Sequence, residues 1–157
     1  MRQFFSFVAA GLHVFVAVVV VLAQPVAVRA EHSALEASNA AAFRAFEKGY
    51  NEQDERWFED YPNEDYVWEG YGVWAPQGRH LAYQEMLGMI DDEARHFPDR
   101  RMTIKRLLAD GDRLAVDYEW TGTAAVGVPG VDVGTVMRWR NLLFLTFRDG
   151  KMSLATE

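Results

Sequence analysis

From Arg113 to Thr121 apolar and polar residues alternate without a break: Leu114, Val116, Tyr118 and Trp120 fall on one face, Ala115, Asp117, Glu119 and Thr121 on the other. Successive side chains of a pleated strand point to opposite sides, so this stretch predicts a strand with one buried face. Met102 to Leu108 reads as the strand before it. Asp110-Gly111, between the two apolar-rich runs, predicts a two-residue type I′ hairpin turn, which needs φ > 0 at both central residues. Upstream, Leu81, Met86, Leu87, Ile90, Ala94 and Phe97 form an apolar stripe of helical period, predicting a helix from Arg79 to His96 that Pro98 stops.

The same reading extends in both directions. Leu35, Ala42, Phe43, Phe46 and Tyr50 recur at helical spacing behind a cap at Ser33 or Ser38, with Gly49 weakening the last turn and Asn51 ending it. Asp54 is placed to cap a short helix from Glu55 to Asp60, with Trp57 and Phe58 inward, and Pro62-Asn63 breaks it. Tyr66-Val67-Trp68 reads as a short strand, Gly70-Tyr71-Gly72 as a link, and Trp74 to Gly78 as irregular. After the hairpin, residues 123–134 carry three Gly and Pro129 and read as a loop. Thr135 to Arg148 is a long strand, Asp149-Gly150 a second turn, and Lys151 to Glu157 the last strand. Helices followed by an antiparallel meander define an α+β chain, its helices packed on one face of a curved sheet.

Residues 1–30 stand apart from this pattern. Arg2 is followed by an apolar block from Phe4 to Ala23, broken only by Ser6, Gly11 and His13, and then by Val28-Arg29-Ala30 ahead of Glu31. Small residues at 28 and 30 suit signal peptidase, so the expectation is an exported protein, periplasmic or secreted, cleaved near Ala30, with 31–157 as its one domain. The alternative is membrane anchoring by residues 4–23, since about 20 apolar residues suffice to span a bilayer.

Charge and composition narrow the chemistry. A net charge of −7 disfavours nucleic acid as a partner, and Arg100, Arg101, Lys105 and Arg106 read as a solvated face. There is no cysteine, so no disulfide, thiolate ligand or thiol nucleophile exists. The four His, at 13, 32, 80 and 96, lack metal-ligand spacing, and neither a nucleophile elbow nor a phosphate-binding Gly-rich loop is present; no metal and no cofactor are expected. Tyr50, Trp57, Tyr66, Trp68, Trp74, Tyr118, Trp120 and Trp139 are too many rings with polar handles to be buried dry. Part of this set is expected to line a cavity for a flat, small hydrophobic molecule, against the reading that all of it is core or subunit interface. Asn141 is the one polar member of the long strand's apolar face, shared with Met137, Trp139, Leu143, Leu145 and Phe147, and it wants a partner such as a ligand carbonyl. Candidate proton carriers are Asp65, ahead of the first strand, and His80, in the first turn of the expected helix; the plainer reading makes both solvated surface groups. His96 suits a helix C-terminus without any further role. Arg138 and Arg140 point outward, where Asp117 and Glu119 could pair with them at a dimer interface.

Six segments, in order, resemble the SnoaL-like branch of the nuclear transport factor 2 and ketosteroid isomerase superfamily. They are Phe46 to Asn51 with Trp57, then Glu64 to Trp68, then Gly78-Arg79 with the helix closing at Phe97-Pro98-Asp99. Gly111 to Val116, Trp120 to Thr123 and Phe147 to Met152 complete the set. The resemblance implies a cone-shaped curved antiparallel sheet wrapped around N-terminal helices, an apolar cavity at its wide end, and homodimers paired through the sheet. It implies binding of a small apolar molecule and, if catalytic, cofactor-free isomerase, cyclase or dehydratase chemistry; the alternative is a non-catalytic dimeric binding or scaffold module with a filled cavity. In the family's cyclases the last strand carries Glu, then Trp, then an acid used in acid-base chemistry. Leu154 and Thr156 stand at the first two places here and Glu157 near the third, so Glu157 joins the candidate proton carriers while the expectation is a degenerate cyclase site.

Overall fold

The structure is a computed structural model and describes residues 32–53, 56–72 and 75–157. The leader or anchor expected over residues 1–30, and Asp54, Glu55 and Trp74, lie outside the described residues. Among the described residues no helix is long and apolar enough to cross a membrane. The chain divides into two compact units, Met1–Leu35 and Glu36–Glu157. In the first, the described residues 32–35 are helical and exposed.

The second unit is α+β. Residues 32–52 are helical (α1), and α1 runs through this unit from Glu36. Then come β1 (Pro62–Gly72), β2 (Ala75–Ala82), α2 (Tyr83–His96), β3 (Arg101–Asp110), β4 (Arg113–Thr123), β5 (Val136–Arg148) and β6 (Lys151–Thr156). One curved six-stranded sheet has the order β2-β1-β6-β5-β4-β3. Every adjacent pair is antiparallel except β1 and β6, which run parallel. Helix α1 lays Phe43, Phe46 and Tyr50 into the core, where Phe46 meets Trp57 edge-on at 4.7 Å between ring centroids. Such edge-to-face pairs add about 0.5–1.5 kcal/mol beyond the area they bury. The inner face of β4, Leu114, Val116, Tyr118 and Trp120, is buried throughout.

Polar residues of α1 close the free edge of β3. Asn51 accepts the Met102 N–H and donates to the Met102 carbonyl, both at 2.8 Å, and Glu47 accepts the Ile104 N–H at 2.9 Å. An edge strand with unpaired backbone groups invites pairing with other chains, and these side chains occupy the edge instead.

Four local expectations are corrected. The first hairpin turns at Gly111-Asp112, with Asp110 paired to Arg113, and only Gly111 has positive φ (60°); this is the type II′ pattern rather than type I′ at Asp110-Gly111. At Asp149-Gly150 both residues have positive φ, 55° and 76°, as type I′ requires. The helix expected from Arg79 begins at Tyr83, because residues 75–82 form β2, an edge strand paired with β1. Residues 56–60 make hydrogen-bonded turns instead of a second helix, although Trp57 and Phe58 do point inward. Arg100, read as solvated, is 4 % exposed.

Candidate functional site

The strand alternation that buries β4 also sets out the site in rungs. Trp120 lies opposite Trp139 on β5, and one rung further in Tyr118 lies opposite Asn141. The two indoles stack at 4.0 Å with 5° between their planes, and Phe97, at the end of α2, meets Trp120 edge-on at 5.0 Å. Gly122 makes this corner possible: a Cβ there would lie 2.7 Å from the Trp120 ring and 3.1 Å from Phe97 Cβ. A cavity of about 620 Å³ opens here, lined by Arg79, Met89, Glu93, Phe97, Trp120 and Trp139 among others.

Glu93 is the carboxyl of this outer rung. Its Oε2 lies 3.6 Å from Nε of buried Arg100, an Nε with no hydrogen-bond partner. The Arg100 guanidinium sits 5.0 Å from the centre of the Tyr50 ring, and the Tyr50 hydroxyl accepts the Trp120 indole N–H at 2.7 Å. Burial raises the Glu93 carboxyl above the usual carboxylate range, and the charge of Glu157 pushes the same way, against the hydroxyl of Tyr50, the guanidinium of Arg100 and the indole of Trp120. The 27 % of its side chain that stays accessible lines the cavity, which reconciles that exposure with strong desolvation. Burial also raises the Tyr50 phenol, and Glu93 adds to the rise, so Tyr50 stays protonated as a donor.

Glu157 occupies the inner rung. Its Oε1 accepts the Tyr118 hydroxyl at 2.5 Å and the Asn141 amide, and its Oε2 accepts the Trp68 indole N–H at 3.3 Å. The residue is fixed in the parallel ladder, its N–H donating to Glu69 O at 2.8 Å and its carbonyl accepting Tyr71 N–H at 2.7 Å. The Tyr118 phenol is raised by burial first and by Glu157 second. Both rungs follow one plan, a carboxyl beside a tyrosine hydroxyl and an indole N–H, and Tyr118 and Trp120 bring the two side by side on β4.

The other candidates stand elsewhere. Asp65 is 64 % exposed and paired with Arg148, and His80, on β2 and 60 % exposed, lies 3.4 Å from Glu69; neither meets the cavity. Trp57 and Tyr66 are core residues packed on Phe58. The Asp117 carboxylate pairs with Arg140 within the chain. Sequence reasoning passed over Glu93 and Arg100. Glu93 had a legible signal, because it falls on the helical stripe of Met86, Ile90 and Phe97, where a carboxylate is out of place.

The model of the SnoaL-like domain matches residues 42–155. No curated protein matches the chain. Among solved structures, AclR of Streptomyces galilaeus, proposed to be a hydroxylase, aligns with TM-score 0.68 and 21 % identity over 77 % of this chain and 77 % of its own. A SnoaL-like protein of Jannaschia sp. CCS1, proposed to be a polyketide cyclase, gives 0.65 and 17 % over 78 % and 85 %. IdmH of Streptomyces antibioticus, also proposed to be a polyketide cyclase, gives 0.65 and 20 % over 75 % and 88 %. These likenesses concern the fold, and with the family match across most of its length the chain belongs to the SnoaL-like domain family.

Proposed function

We propose that this protein binds a small, flat, mainly apolar molecule against the Trp120–Trp139 pair and moves a proton on it without a cofactor, with Glu157 as the proton acceptor. The observation that carries this reading is the convergence of Tyr118, Asn141 and Trp68 on one carboxyl, one strand rung from the cavity wall. Donors on a carboxylate hold it ionised and fix its orientation, the state a proton acceptor needs. The cyclase and hydroxylase activities proposed for the structural neighbours support small-molecule chemistry on this scaffold. The first test is a tryptophan-fluorescence titration with α-tetralone, a flat ketone. Saturable quenching is expected, weakened about tenfold or more in Trp139→Ala; no saturable change up to the solubility limit would count against the site.

A second reading draws on the same cluster. Both Glu157 oxygens already have partners within the chain, as they would in a non-catalytic binding module. Turnover of a bound ketone separates the two.

We also propose a homodimer paired through the sheet. Leu108, Leu142 and Phe144 are 72, 60 and 55 % exposed on its outer face, and Leu108, Ala115 and Phe144 lie in register across three strands. Contiguous apolar surface of this kind marks an interaction site. Sedimentation equilibrium should give a dimer for the wild type and a monomer for Phe144→Lys; a monomeric wild type at high concentration excludes the pairing.

A further inference from the structure

We propose that the loop between β4 and β5, with two arginines just behind it on the sheet, docks on an anionic phospholipid membrane. The valines at the loop's tip enter the acyl boundary, and the guanidinium groups of Arg101 and Arg138 engage headgroup phosphates.

Connecting segments are usually polar, and this one is not. Residues 123–137 contain five valines and one charged side chain, Asp132. Val126, Val133 and Val136 are 48, 67 and 69 % exposed. The backbone holds them in place: the Ala124 N–H donates to the Thr135 carbonyl at 3.0 Å, the Ala124 carbonyl accepts the Gly134 N–H at 2.7 Å, and Val128 bridges Val131. These contacts continue the register in which Thr123 lies opposite Val136, so Val126 stands opposite Val133 beyond the end of the sheet. Val128 and Val131 pack back on the core, which leaves the other three for a partner. The Ala125 N–H donates to the His96 carbonyl at 2.8 Å and ties the loop to the end of α2. A loop held in this way presents its valines already ordered, so leaving water is favourable for their hydrocarbon and little ordering entropy opposes it.

Charge identifies the partner. Arg101, Thr121 and Arg138 lie side by side across β3, β4 and β5, and Arg138 shares the exposed face of β5 with Val136. Among the described residues Arg95, Arg106 and Arg140 are each held in a salt bridge, and neither Arg101 nor Arg138 is. Two exposed cations behind an apolar tip match the layering of a bilayer surface, with phosphate above hydrocarbon. A net charge of −7 keeps the rest of the molecule from being drawn to the same membrane, so this end of the sheet sets the orientation. A second copy fits less well, because a two-fold contact here would bring the arginines of both chains together. The outer patch of Leu108, Ala115 and Phe144 lies toward the opposite end of β4, so pairing through the sheet and docking do not compete. Docking brings Phe97 of the cavity corner, next to the loop's anchor His96, close to the bilayer, where flat apolar molecules accumulate. That consequence rests on the ligand reading above, and the docking does not.

The chain has no cysteine, so Val133→Cys carries a single thiol for an environment-sensitive nitrobenzoxadiazole label. The apolar N-terminal block can carry the full chain to vesicles by itself, and a label in the loop reports local insertion whatever that block does. With vesicles of phosphatidylglycerol and phosphatidylcholine, the label at 133 should brighten, shift to shorter wavelength and be quenched by spin-labelled lipid. The same label at Asp112→Cys, in the hairpin about 30 Å away at the other end of β4, should not respond. Arg101→Gln combined with Arg138→Gln should weaken binding to these vesicles about tenfold or more, and added salt should weaken the wild type in the same direction. A label at 133 that stays solvent-like on the vesicles overturns the proposal, as does an equal response at 112, or an affinity that the double substitution leaves within about twofold of wild type. A spectral shift that follows protein concentration without vesicles assigns the tip to a second copy and overturns it as well. If Val133→Cys fails to fold, Val126→Cys, across the loop, gives the same readout. Binding of α-tetralone is measured separately, so failure of the ligand reading and failure of the docking are distinguishable.

Discussion

Asp99 illustrates how much a single exposed side chain can contribute when its geometry is right. Its two oxygens accept the Thr123 N–H at 2.7 Å and the Thr123 hydroxyl at 2.6 Å, tying the connection after α2 to the end of β4 beside the cavity corner. The hydroxyl bond first, and the backbone bond second, hold the Asp99 carboxyl below the usual carboxylate range. A depressed folded-state pKa means that the stabilisation is present above the unfolded-state value and is lost as pH falls through the folded one. Asp99→Asn should therefore be less stable than wild type at neutral pH, with the gap closing as the pH drops below about 4. Thermal melts across that range provide the check, and a gap that does not change with pH would contradict the assignment. The residues behave unevenly under sequence reading for a related reason. Asp65 and His80 were candidates by residue type alone, and type does not say which way a side chain faces; both face water. Glu93 puts a carboxyl on a position that the apolar stripe of α2 marks as inward, and that conflict between residue type and pattern was the more informative signal.

At the scale of elements, strong periodicity was legible and edge pairing was not. The alternation of β4 and the stripe of α2 follow from burial of one face each, so they are written into the local sequence. Strand β2, APQGRHLA, has no such pattern, because an edge strand is set by its pairing with β1 and not by a buried face. The turn at Gly111-Asp112 moved by one residue since register is fixed by the cross-strand pair Asp110–Arg113, which no dipeptide signal encodes. The closure of the β3 edge by α1 is likewise a tertiary fact. Asn51→Ala removes two hydrogen bonds and leaves the Met102 N–H and C=O unpaired, so it should cost about 2 kcal/mol. Urea denaturation measures this, and a loss below about 0.5 kcal/mol would mean that water replaces the side chain without penalty.

For the molecule as a whole, the decisive feature is the parallel pairing of β1 with β6. It joins one end of the strand order to the other in sequence, placing Trp68 of β1 within reach of Glu157, 89 positions later. The site is thus an assembly of long-range contacts: α2 and the indole pair form the outer rung, and β1, β4, β5 and the chain after β6 form the inner one. The family resemblance pointed to the scaffold and to an acid near position 157, and the departure at Leu154 and Thr156 made a degenerate site the natural expectation. In the structure three donors converge on the Glu157 carboxyl one strand rung from the Trp120–Trp139 wall, the cluster proposed above to move a proton. The claim that it does so is tested most directly by the rate at which α-tetralone exchanges its α-protons for deuterium, compared between wild type and Glu157→Gln at equal ketone occupancy. The expected result is wild-type exchange at least about a hundredfold above buffer, falling to within about tenfold of buffer in Glu157→Gln. Equal rates in the two proteins, or a wild type that binds the ketone and leaves its protons in place, would contradict the account.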